Sequence, residues 1–339
     1  MHRLPTWSKM LILALLLLVA AGFELALGPM NIPVSRLVPA AVLYFHGVRT
    51  PDAVVVGAIR LPRLLVAMLV GVGLSLVGAA LQAIFRNPMA DPGIIGVSSG
   101  GSVGAVVSIA TGVASHGLWV SPLFAFFAGM LAMFAVYRLG TVGGKTSIYS
   151  LLLAGVAISA LCGSVVTFLL SIEPTQTMQG MLFWIMGGLD NSSWVTSAML
   201  CVVVGVATLV FSSCAKAFDI MSLGEEQAEG VGVNLQQMKR VTLFTSALTV
   251  GVMVSISGVI SFVGLIVPHF MRMWVGPAHR VLLPASALGG AILMTGADVV
   301  ARMALSPTEI NIGVITSLLG APFFLYLLRR QYSTIVRRR

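Results

Sequence analysis

The amino-acid sequence predicts an all-α polytopic membrane protein with ten membrane-spanning helices in one domain, residues 1–339. Of the 339 residues, 58% are hydrophobic and only 9% are charged, whereas soluble domains have about 25% charged residues. The hydrophobic residues form long runs, of which residues 10–27 are the first. A run of about 20 apolar residues crosses the hydrocarbon layer as a helix. A helix also satisfies its own backbone hydrogen bonds there.

Ten such runs follow one another along the chain. The first lies behind a basic N-terminus, as in a signal peptide, but the nine later runs favour a retained helix. Residues 241–276 are predicted to hold two short spans joined by a turn at 255–258, and one long helix with a re-entrant segment is the alternative. The predicted spans are residues 10–28, 61–85, 95–113, 119–138, 148–171, 194–213, 240–257, 259–275, 281–303 and 311–329.

Basic residues are distributed unequally between the two sides that ten spans define. The side with both termini carries fifteen of the 20 Lys and Arg residues, and the opposite side carries five. By the positive-inside rule the termini are cytoplasmic. The C-terminal arginines suit contact with anionic membrane lipid, so the net charge of +9 requires no nucleic-acid partner. The fifteen are Arg3, Lys9, Arg86, Arg138, Lys145, Lys216, Lys239, Arg240, Arg272, Arg280, Arg329, Arg330, Arg337, Arg338 and Arg339, and the five are Arg36, Arg49, Arg60, Arg63 and Arg302.

The segment LGTVGGKTS, residues 139–147, contains the Gly-Lys-Thr of a nucleotide-binding loop. A Walker A loop also needs a glycine five positions before this Gly-Lys pair, directly after a β-strand. Leu139 occupies that position, and the segment joins two apolar spans. We therefore predict a short cytoplasmic turn, and the chain is predicted to have no catalytic, cofactor or metal site of its own.

The segment GVSSG, residues 96–100, fits the nucleophile-elbow pattern G-x-S-x-G around Ser98. A serine hydrolase needs a histidine base beside the serine, and four of the five histidines, His279 among them, lie in predicted loops or tails. Small residues that allow helices to approach closely explain the segment more simply. Gly71 and Ser75 have the same small-xxx-small spacing and are predicted to mark close helix packing.

The longest predicted cytoplasmic loop, residues 214–240, is polar and acidic on an otherwise basic side. It is predicted to contain a helix over 223–229, a break at Gly230 and Gly232, and a second helix capped by Asn234. Two short helices at an angle form a projection that another protein can grip. A solvated connector is the alternative, although a connector needs only a few residues.

Arginines also lie on the predicted outer side. Arg60 and Arg63 begin the second span, and Arg302 ends the ninth. They are predicted either to reach lipid phosphates or to dock carboxylates of a partner. Glu24 and Asp298 also lie towards outer helix ends, and Asp298 is predicted to pair with Arg302 four residues later. The bilayer centre then lacks the ionisable relay of a proton-driven transporter.

Six long stretches together resemble the membrane permeases of type II ABC importers for iron–siderophores, haem and vitamin B12. They are spread over nearly the whole chain, so the resemblance is more specific than any short pattern above. The stretches are RLPRLL (60–65), ALQAIFRNPMADPGIIGVSSGGSVGA (80–105), SLGEEQAEGVGVN (222–234), GVISFVGLIVPHFMR (258–272), LPASALGGAILMTGADVVAR (283–302) and EINIGVITSLLGAPFFLYLL (309–328).

This resemblance implies the assembly in which such a permease works. Permeases of this kind have ten helices per subunit and form a two-fold homodimer with the translocation path between the subunits. Each subunit binds one of two ABC ATPase subunits, which hold the ATP and Mg²⁺, and a periplasmic substrate-binding protein delivers the cargo. The resemblance therefore implies a non-enzymatic subunit in the bacterial inner membrane.

The resemblance also implies roles for particular residues. Coupling helices fall at about 215–238, and Arg60, Arg63 and Arg302 correspond to docking points for the binding protein. A short periplasmic helix falls at 175–189. Its methionines either contact an apolar cargo or are packing residues, namely Met178, Met181 and Met186. The ATPase-coupling residues are Leu223, Gly224, Glu225, Glu226, Ala228, Gly230 and Gly232.

Three hypotheses of function follow. The favoured one is the permease of an importer for a ferric chelate, iron–siderophore or haem, with vitamin B12 as the alternative cargo. A secondary transporter built of inverted repeats is the second, and it would transport on a proton gradient without an ATPase. An intramembrane serine hydrolase is the third, and it requires that Ser98 react with a fluorophosphonate probe.

Overall fold

The apolar runs fold into helices that pack side by side. The computed structural model describes residues 5–28, 30 and 32–336, and their side chains except those of 327, 328 and 330–336. Its described part contains fourteen α-helices: α1 Thr6–Ala26, α2 Val34–Phe45, α3 Pro51–Ile84, α4 Val97–Ala110, α5 Val120–Gly140, α6 Ile148–Ile172, α7 Thr175–Ile185, α8 Trp194–Ser213, α9 Ala215–Met221, α10 Glu225–Gly230, α11 Leu235–Ser257, α12 Val263–Val275, α13 His279–Met303 and α14 Ile312–Val336.

Each of the ten predicted spans coincides with one of these helices. Seven helices of the described chain are long and apolar enough to cross a membrane, namely α1, α3, α5, α6, α8, α11 and α13. The other three predicted spans fall on the shorter apolar helices α4, α12 and α14. The structure thus confirms an all-α polytopic membrane protein, whereas the number of ten spans stays a prediction.

Helix α3 begins ten residues before the predicted start of the second span at residue 61. Thr50 caps its first turn by accepting a hydrogen bond from the Ala53 amide at 3.3 Å, and Pro51 follows at the first helical position, where proline is favoured. The segment Val55–Arg60 is a π-helical turn within α3. Helix α2 was not predicted, because its apolar stretch is too short to cross a bilayer.

Helix α3 lies at the centre of the bundle and contacts α8, α11, α12 and α13. Its contact with α13 requires small residues: a Cβ at Gly71 would collide with the Gly290 carbonyl, and one at Gly290 with Ser75 Oγ. This confirms the predicted close packing at Gly71 and Ser75. Helices α1, α6 and α8 are peripheral, with exposed leucines and valines that suit lipid contact.

The small residues around Ser98 pack helix α4 against α5. A Cβ at Gly100 would lie 2.7 Å from the Ala128 carbonyl, and one at Gly104 would collide with the Phe124 carbonyl. The Ser98 carbonyl accepts a hydrogen bond from the Ser102 hydroxyl at 3.1 Å. Close helix packing therefore explains the segment that formally matches a nucleophile elbow.

Residues 241–276 form two helices, α11 and α12, which confirms the two-helix prediction over one long helix. The predicted turn at 255–258 is misplaced, because α11 continues to Ser257 and the turn covers 258–262. Gly258 (φ +64°) and Phe262 (φ +68°) adopt left-handed backbone conformations in this turn. Gly258 also lies against the Trp184 carbonyl, where a side chain has no room.

The segment that resembles a nucleotide-binding loop is a two-stranded hairpin between α5 and α6. Strand β1 (Thr141–Val142) pairs with β2 (Lys145–Thr146). Gly143 (φ +59°) and Gly144 (φ +79°) form the two-residue turn, in which both residues need positive φ. The prediction of a tight turn is confirmed.

Contacts between distant segments bring the basic loops to one end of the bundle. Lys9 Nζ donates to the Trp274 carbonyl at 2.5 Å, and Lys239 Nζ donates to the Thr146 carbonyl at 3.1 Å. We call this the basic end. It includes the start of α1, the hairpin, α9, α10 and the turn from α12 to α13. Of the predicted cytoplasmic charges, Arg3 and Arg337, Arg338 and Arg339 lie outside the described residues.

Candidate functional site

The long loop between α8 and α11 folds into two short helices, α9 and α10, at the basic end. Helix α10 covers Glu225–Gly230 rather than the predicted 223–229, so the break follows Gly230 and contains Gly232 (φ +85°). The side chain of Asn234 accepts a hydrogen bond from the Gln237 amide at 3.0 Å, which confirms the predicted cap of α11. The loop is therefore an ordered projection rather than a loose connector.

A buried lysine fixes this projection to the hairpin. Lys239 is only 2% exposed, and its Nζ lies 2.9 Å from Glu225 Oε1. The same Nζ donates to the Thr146 carbonyl at 3.1 Å, while Gln236 Oε1 accepts from the Thr146 amide at 2.9 Å. Helix α10, strand β2 and the first turns of α11 are thus joined around one ammonium group. From the sequence alone, Lys239 is predicted only to be one of the cytoplasmic charges.

A second link fixes α9 to the start of α13. Asp219 Oδ1 accepts from the His279 amide at 2.9 Å and lies 2.6 Å from His279 Nδ1. His279 is the first residue of α13 and is 3% exposed, so the prediction that it lies in a loop is wrong. Because the N-cap residue Ala278 has no side-chain acceptor, Asp219 provides the carboxylate that a helix N-terminus favours.

The residues predicted to couple to an ATPase divide between an inner and an outer face of the projection. Gly224 and Ala228 are buried, and Ala228 belongs to the hydrophobic core. Glu225 lies between the two faces, paired with Lys239. The outer face consists of Leu223, which is 71% exposed, together with Glu226, Gly230, Val231 and Gly232. We call these five residues the outer face of the projection.

A polar groove of about 930 Å³ separates the projection from the neighbouring helix ends. Its walls are the end of α3 with Arg86 and Asn87, the start of α6 with Tyr149, and the start of α10. Glu225 and Lys239 also line it. The groove leaves one side of the projection free of the rest of the chain, so a partner can reach it.

At the other end of the bundle, Arg63 binds three carboxylates. Its guanidinium makes two parallel hydrogen bonds to Asp298, at 2.9 and 3.0 Å. It also lies 2.9 Å from Glu309 Oε2 and 3.7 Å from Asp190 Oδ1. The bidentate geometry is the strongest arrangement of an arginine with a carboxylate.

Arg302 extends these interactions to α1. Its Nη2 lies 2.6 Å from Glu24 Oε1, and its Nε lies 3.2 Å from Asp298 Oδ2, which confirms the predicted pairing of Asp298 with Arg302. Both Glu24 and Asp298 are fully buried. Because an unpaired charge inside a protein is costly, the two carboxylates depend on their arginine partners.

Arg60 completes this end by capping α1. Its guanidinium donates to the carbonyls of Leu25 at 2.5 Å, Ala26 at 3.2 Å and Met30. A cation at a helix C-terminus satisfies carbonyls that have no partner within the helix. We call the whole set the arginine cluster: Arg60, Arg63 and Arg302 with Glu24, Asp190, Asp298 and Glu309.

The burial of the arginine cluster bears on its predicted docking role, which stays a prediction. Arg60 is 3% exposed and Arg302 is 4% exposed, and the Arg63 side chain is 11% exposed. In contrast, the Asp190 side chain is 77% exposed. In this conformation the surface over the cluster therefore presents carboxylates, and the arginines lie beneath them.

The predicted short helix at 175–189 is α7, which ends at Ile185. Met181 has no exposed surface, in agreement with the alternative that it is a packing residue, and Met178 is half-buried. Met186 lines an apolar groove of about 500 Å³ between the end of α7 and one face of α14, near Gly313 and Ser317. Of the three methionines, only Met186 lines this groove.

The chain is similar to known proteins over almost its full length. Residues 12–330 match the FecCD transport family. The chain belongs to the FecCD transport family. Its relatives include the cobalamin import system permease protein BtuC of Halobacterium salinarum, which is 45% identical over 299 residues, 88% of this chain and 79% of the relative. The hemin transport system permease protein HmuU of Yersinia pestis is 40% identical over 80% of this chain and 82% of its own length.

A solved structure with the same fold supports this membership. It is described as an inward-facing conformation of a metal-chelate type ABC transporter, with a TM-score of 0.82 and 32% identity. It covers 96% of this chain and 99% of its own. The FecCD chain is thus a multi-pass permease of a metal-chelate, vitamin B12 or haem type ABC importer. The alternatives of a secondary transporter and a serine hydrolase have no support.

We predict that the stability of the arginine cluster depends on the buried carboxylate of Asp298. Asp298→Asn leaves the guanidinium groups of Arg63 and Arg302 without their shared anion, so we expect a loss of about 3–5 kcal/mol in the free energy of unfolding. Glu309→Gln is the matched control. The Glu309 side chain is 34% exposed and pairs near solvent, so its substitution is expected to cost about 1 kcal/mol or less. Denaturation in detergent measures both, and equal losses would contradict the prediction.

We also predict that Lys239 and Glu225 are energetically coupled. Glu225→Gln leaves a buried ammonium without its counterion and is expected to be more harmful than Glu226→Gln on the same helix. Adding Lys239→Met should restore part of the loss, with a coupling energy of about 0.5–3 kcal/mol. A double-mutant cycle of thermal stability measures this energy, and strictly additive effects would show that the ion pair is unimportant.

Proposed function

We propose that this chain is the permease of an ATP-driven importer for a ferric chelate, an iron–siderophore or haem. The observation that carries the proposal is the solved relative described as a metal-chelate type ABC transporter, which matches 96% of this chain. The hemin permease relative supports the same class of cargo. Two copies of the chain would enclose the translocation path in the inner membrane, with both termini in the cytoplasm.

Vitamin B12 is the second candidate cargo. It is favoured by the 45% identity to a cobalamin import permease and by the 35% identity to a vitamin B12 import permease of Klebsiella pneumoniae over 94% of this chain. The apolar groove beside Met186 does not discriminate between the two cargoes, because its walls offer few hydrogen-bond partners.

Transport by the reconstituted importer tests both cargoes. The chain, its ATPase and the binding protein are placed in proteoliposomes with radiolabelled ferric siderophore, haem or cyanocobalamin. We expect ATP-dependent uptake of one of the iron chelates. Uptake of cyanocobalamin alone would replace the first candidate with the second. Uptake driven by a proton gradient without the ATPase would overturn the proposal of an ABC importer.

We further propose that the outer face of the projection binds the ATPase subunit. Leu223 and Val231 are 71% and 68% exposed, and apolar side chains at the basic end are costly to expose unless a partner covers them. Lys239 and Asp219 hold the helices beneath this face. Movement of the partner would then be transmitted to the hairpin and α13, while ATP and Mg²⁺ stay on the partner.

Val231→Asp is predicted to weaken ATPase binding at least about tenfold, since buried interface anchors contribute about 1–2 kcal/mol or more. Copurification and ATP-dependent uptake measure the effect. Leu118→Asp is the matched control, because Leu118 is 89% exposed in a loop between α4 and α5, far along the chain from the projection. A complex that survives Val231→Asp combined with Leu223→Asp would remove the coupling role.

Docking of the periplasmic binding protein at the arginine cluster is our third proposal. Of the three arginines in the cluster, Arg63 has the most exposed side chain, and the carboxylates of Asp190 and Glu309 compete for it. If acidic residues of the partner dock on Arg63, Asp190→Asn with Glu309→Gln should increase affinity, and the gain should shrink at high salt. Glu173→Gln, on the loop after α6, is the control. Reduced affinity of the double variant would mean that the carboxylates themselves are the docking groups.

A further inference from the structure

An apolar groove runs between α1, α12 and α13 and belongs to neither proposed docking surface nor to the proposed path. Its volume is about 460 Å³, within the range of about 300–1,000 Å³ typical of ligand sites. The side chains that line it are apolar, among them Leu16, Val267, Phe270, Ile292 and Leu293. A void between three helices loses dispersion contacts unless something of matching shape fills it.

The position of the groove limits what can fill it. Helices α1 and α13 are long and apolar enough to cross the membrane, so the groove opens towards hydrocarbon rather than water. Leu16 and Phe270 on its rim are 49% and 52% exposed. Trp274 lines the end of the groove at the last turn of α12, and tryptophan favours the boundary between hydrocarbon and headgroups.

The ammonium group of Lys9 lies at the Trp274 end of this groove. Lys9 lies on the same stripe of α1 as the lining residues Ile12, Leu13 and Leu16, since these positions follow it by three, four and seven residues. Its Nζ donates to the Trp274 carbonyl at 2.5 Å. An ammonium group has two further donors, and Lys9 is only partly buried.

Among the residues that the structure describes, no Asp or Glu side chain forms an ion pair with Lys9. All 11 Asp and Glu residues lie in the part of the sequence that the structure describes, and none of them has an oxygen within 4.0 Å of this ammonium group. A positive charge with free donors, above an apolar groove at the membrane boundary, is complementary to one class of molecule. That class has an anionic headgroup and a hydrocarbon chain.

We propose that the groove between α1, α12 and α13 binds an acyl chain of an anionic phospholipid whose phosphate pairs with Lys9. The hydrocarbon chain fills the space that the three helices leave open, and the headgroup lies beside Trp274. Basic sites between transmembrane helices bind anionic headgroups by the same electrostatics. This lipid is a structural ligand of the bundle, independent of the cargo.

Lipid titration of the purified full-length chain, followed by native mass spectrometry, tests the headgroup. Phosphatidylglycerol and phosphatidylcholine with identical acyl chains are the probes. We expect tighter binding of phosphatidylglycerol, and Lys9→Gln should reduce this preference about fivefold, as expected for one lysine near the membrane surface. Lys145→Gln is the matched control, because Lys145 is an exposed lysine in the hairpin. Equal binding of the two lipids would overturn the proposal, and so would displacement by millimolar inorganic phosphate.

Filling the groove with a larger side chain tests whether the hydrocarbon chain of the lipid binds there. Ile292→Trp should reduce binding of both lipids, whereas Leu318→Trp, on the exposed face of α14, should not. If Ile292→Trp fails to fold, a phosphatidylglycerol with a photoactivatable acyl chain is applied to the unaltered chain, and crosslinks should lie in α1, α12 or α13. Crosslinks elsewhere would overturn the proposal. A disulfide between two copies of Leu16→Cys would show that a second copy of the chain covers this face instead.

Discussion

This structure depends on one constraint, which is that charged and polar groups inside a hydrocarbon layer must be paired. The bilayer offers no water to an unpaired charge or to a free backbone group, so each must find its partner within the protein. At one end of the bundle, Asp298 joins Arg63 and Arg302 and so connects α3 to α13. At the basic end, Lys239 connects three segments around one ammonium group. Between these ends, the described helices pack largely through small residues and apolar side chains.

The closely packed pair of α3 and α13 differs from the exposed projection of α9 and α10. The contact of α3 with α13 is so close that a methyl group at Gly71 or Gly290 has no room, which leaves these helices little freedom to shift against each other. The projection of α9 and α10, in contrast, is fixed at its inner face by Lys239 and Asp219 and exposed at its outer face. Lys239 and Asp219, the two polar links described above, join the projection to the bundle.

The arginine cluster shows that a sequence can reveal where charged residues lie along the chain without revealing which residues they pair with. Arginines on the outer side of a membrane protein raise the question of a partner, and the sequence contains Arg60, Arg63 and Arg302 in suitable positions. Their acceptors come from distant segments, including Glu24 on α1 and Glu309 before α14. Because these residues are 39 and 246 positions away from Arg63, no local pattern connects them.

The sequence by itself determined that this chain crosses a membrane as helices, where most of those helices lie, and which loop is too long and too polar to be a connector. These properties follow from local hydrophobicity and spacing, because the bilayer acts on each segment separately. Only the tertiary structure decided that Lys239 is a buried link rather than a surface charge and that His279 begins a helix. It also showed that α2 exists and that Lys9 stands over an apolar groove. Each of these depends on which distant segments meet, and that is set by packing between helices rather than by any one of them.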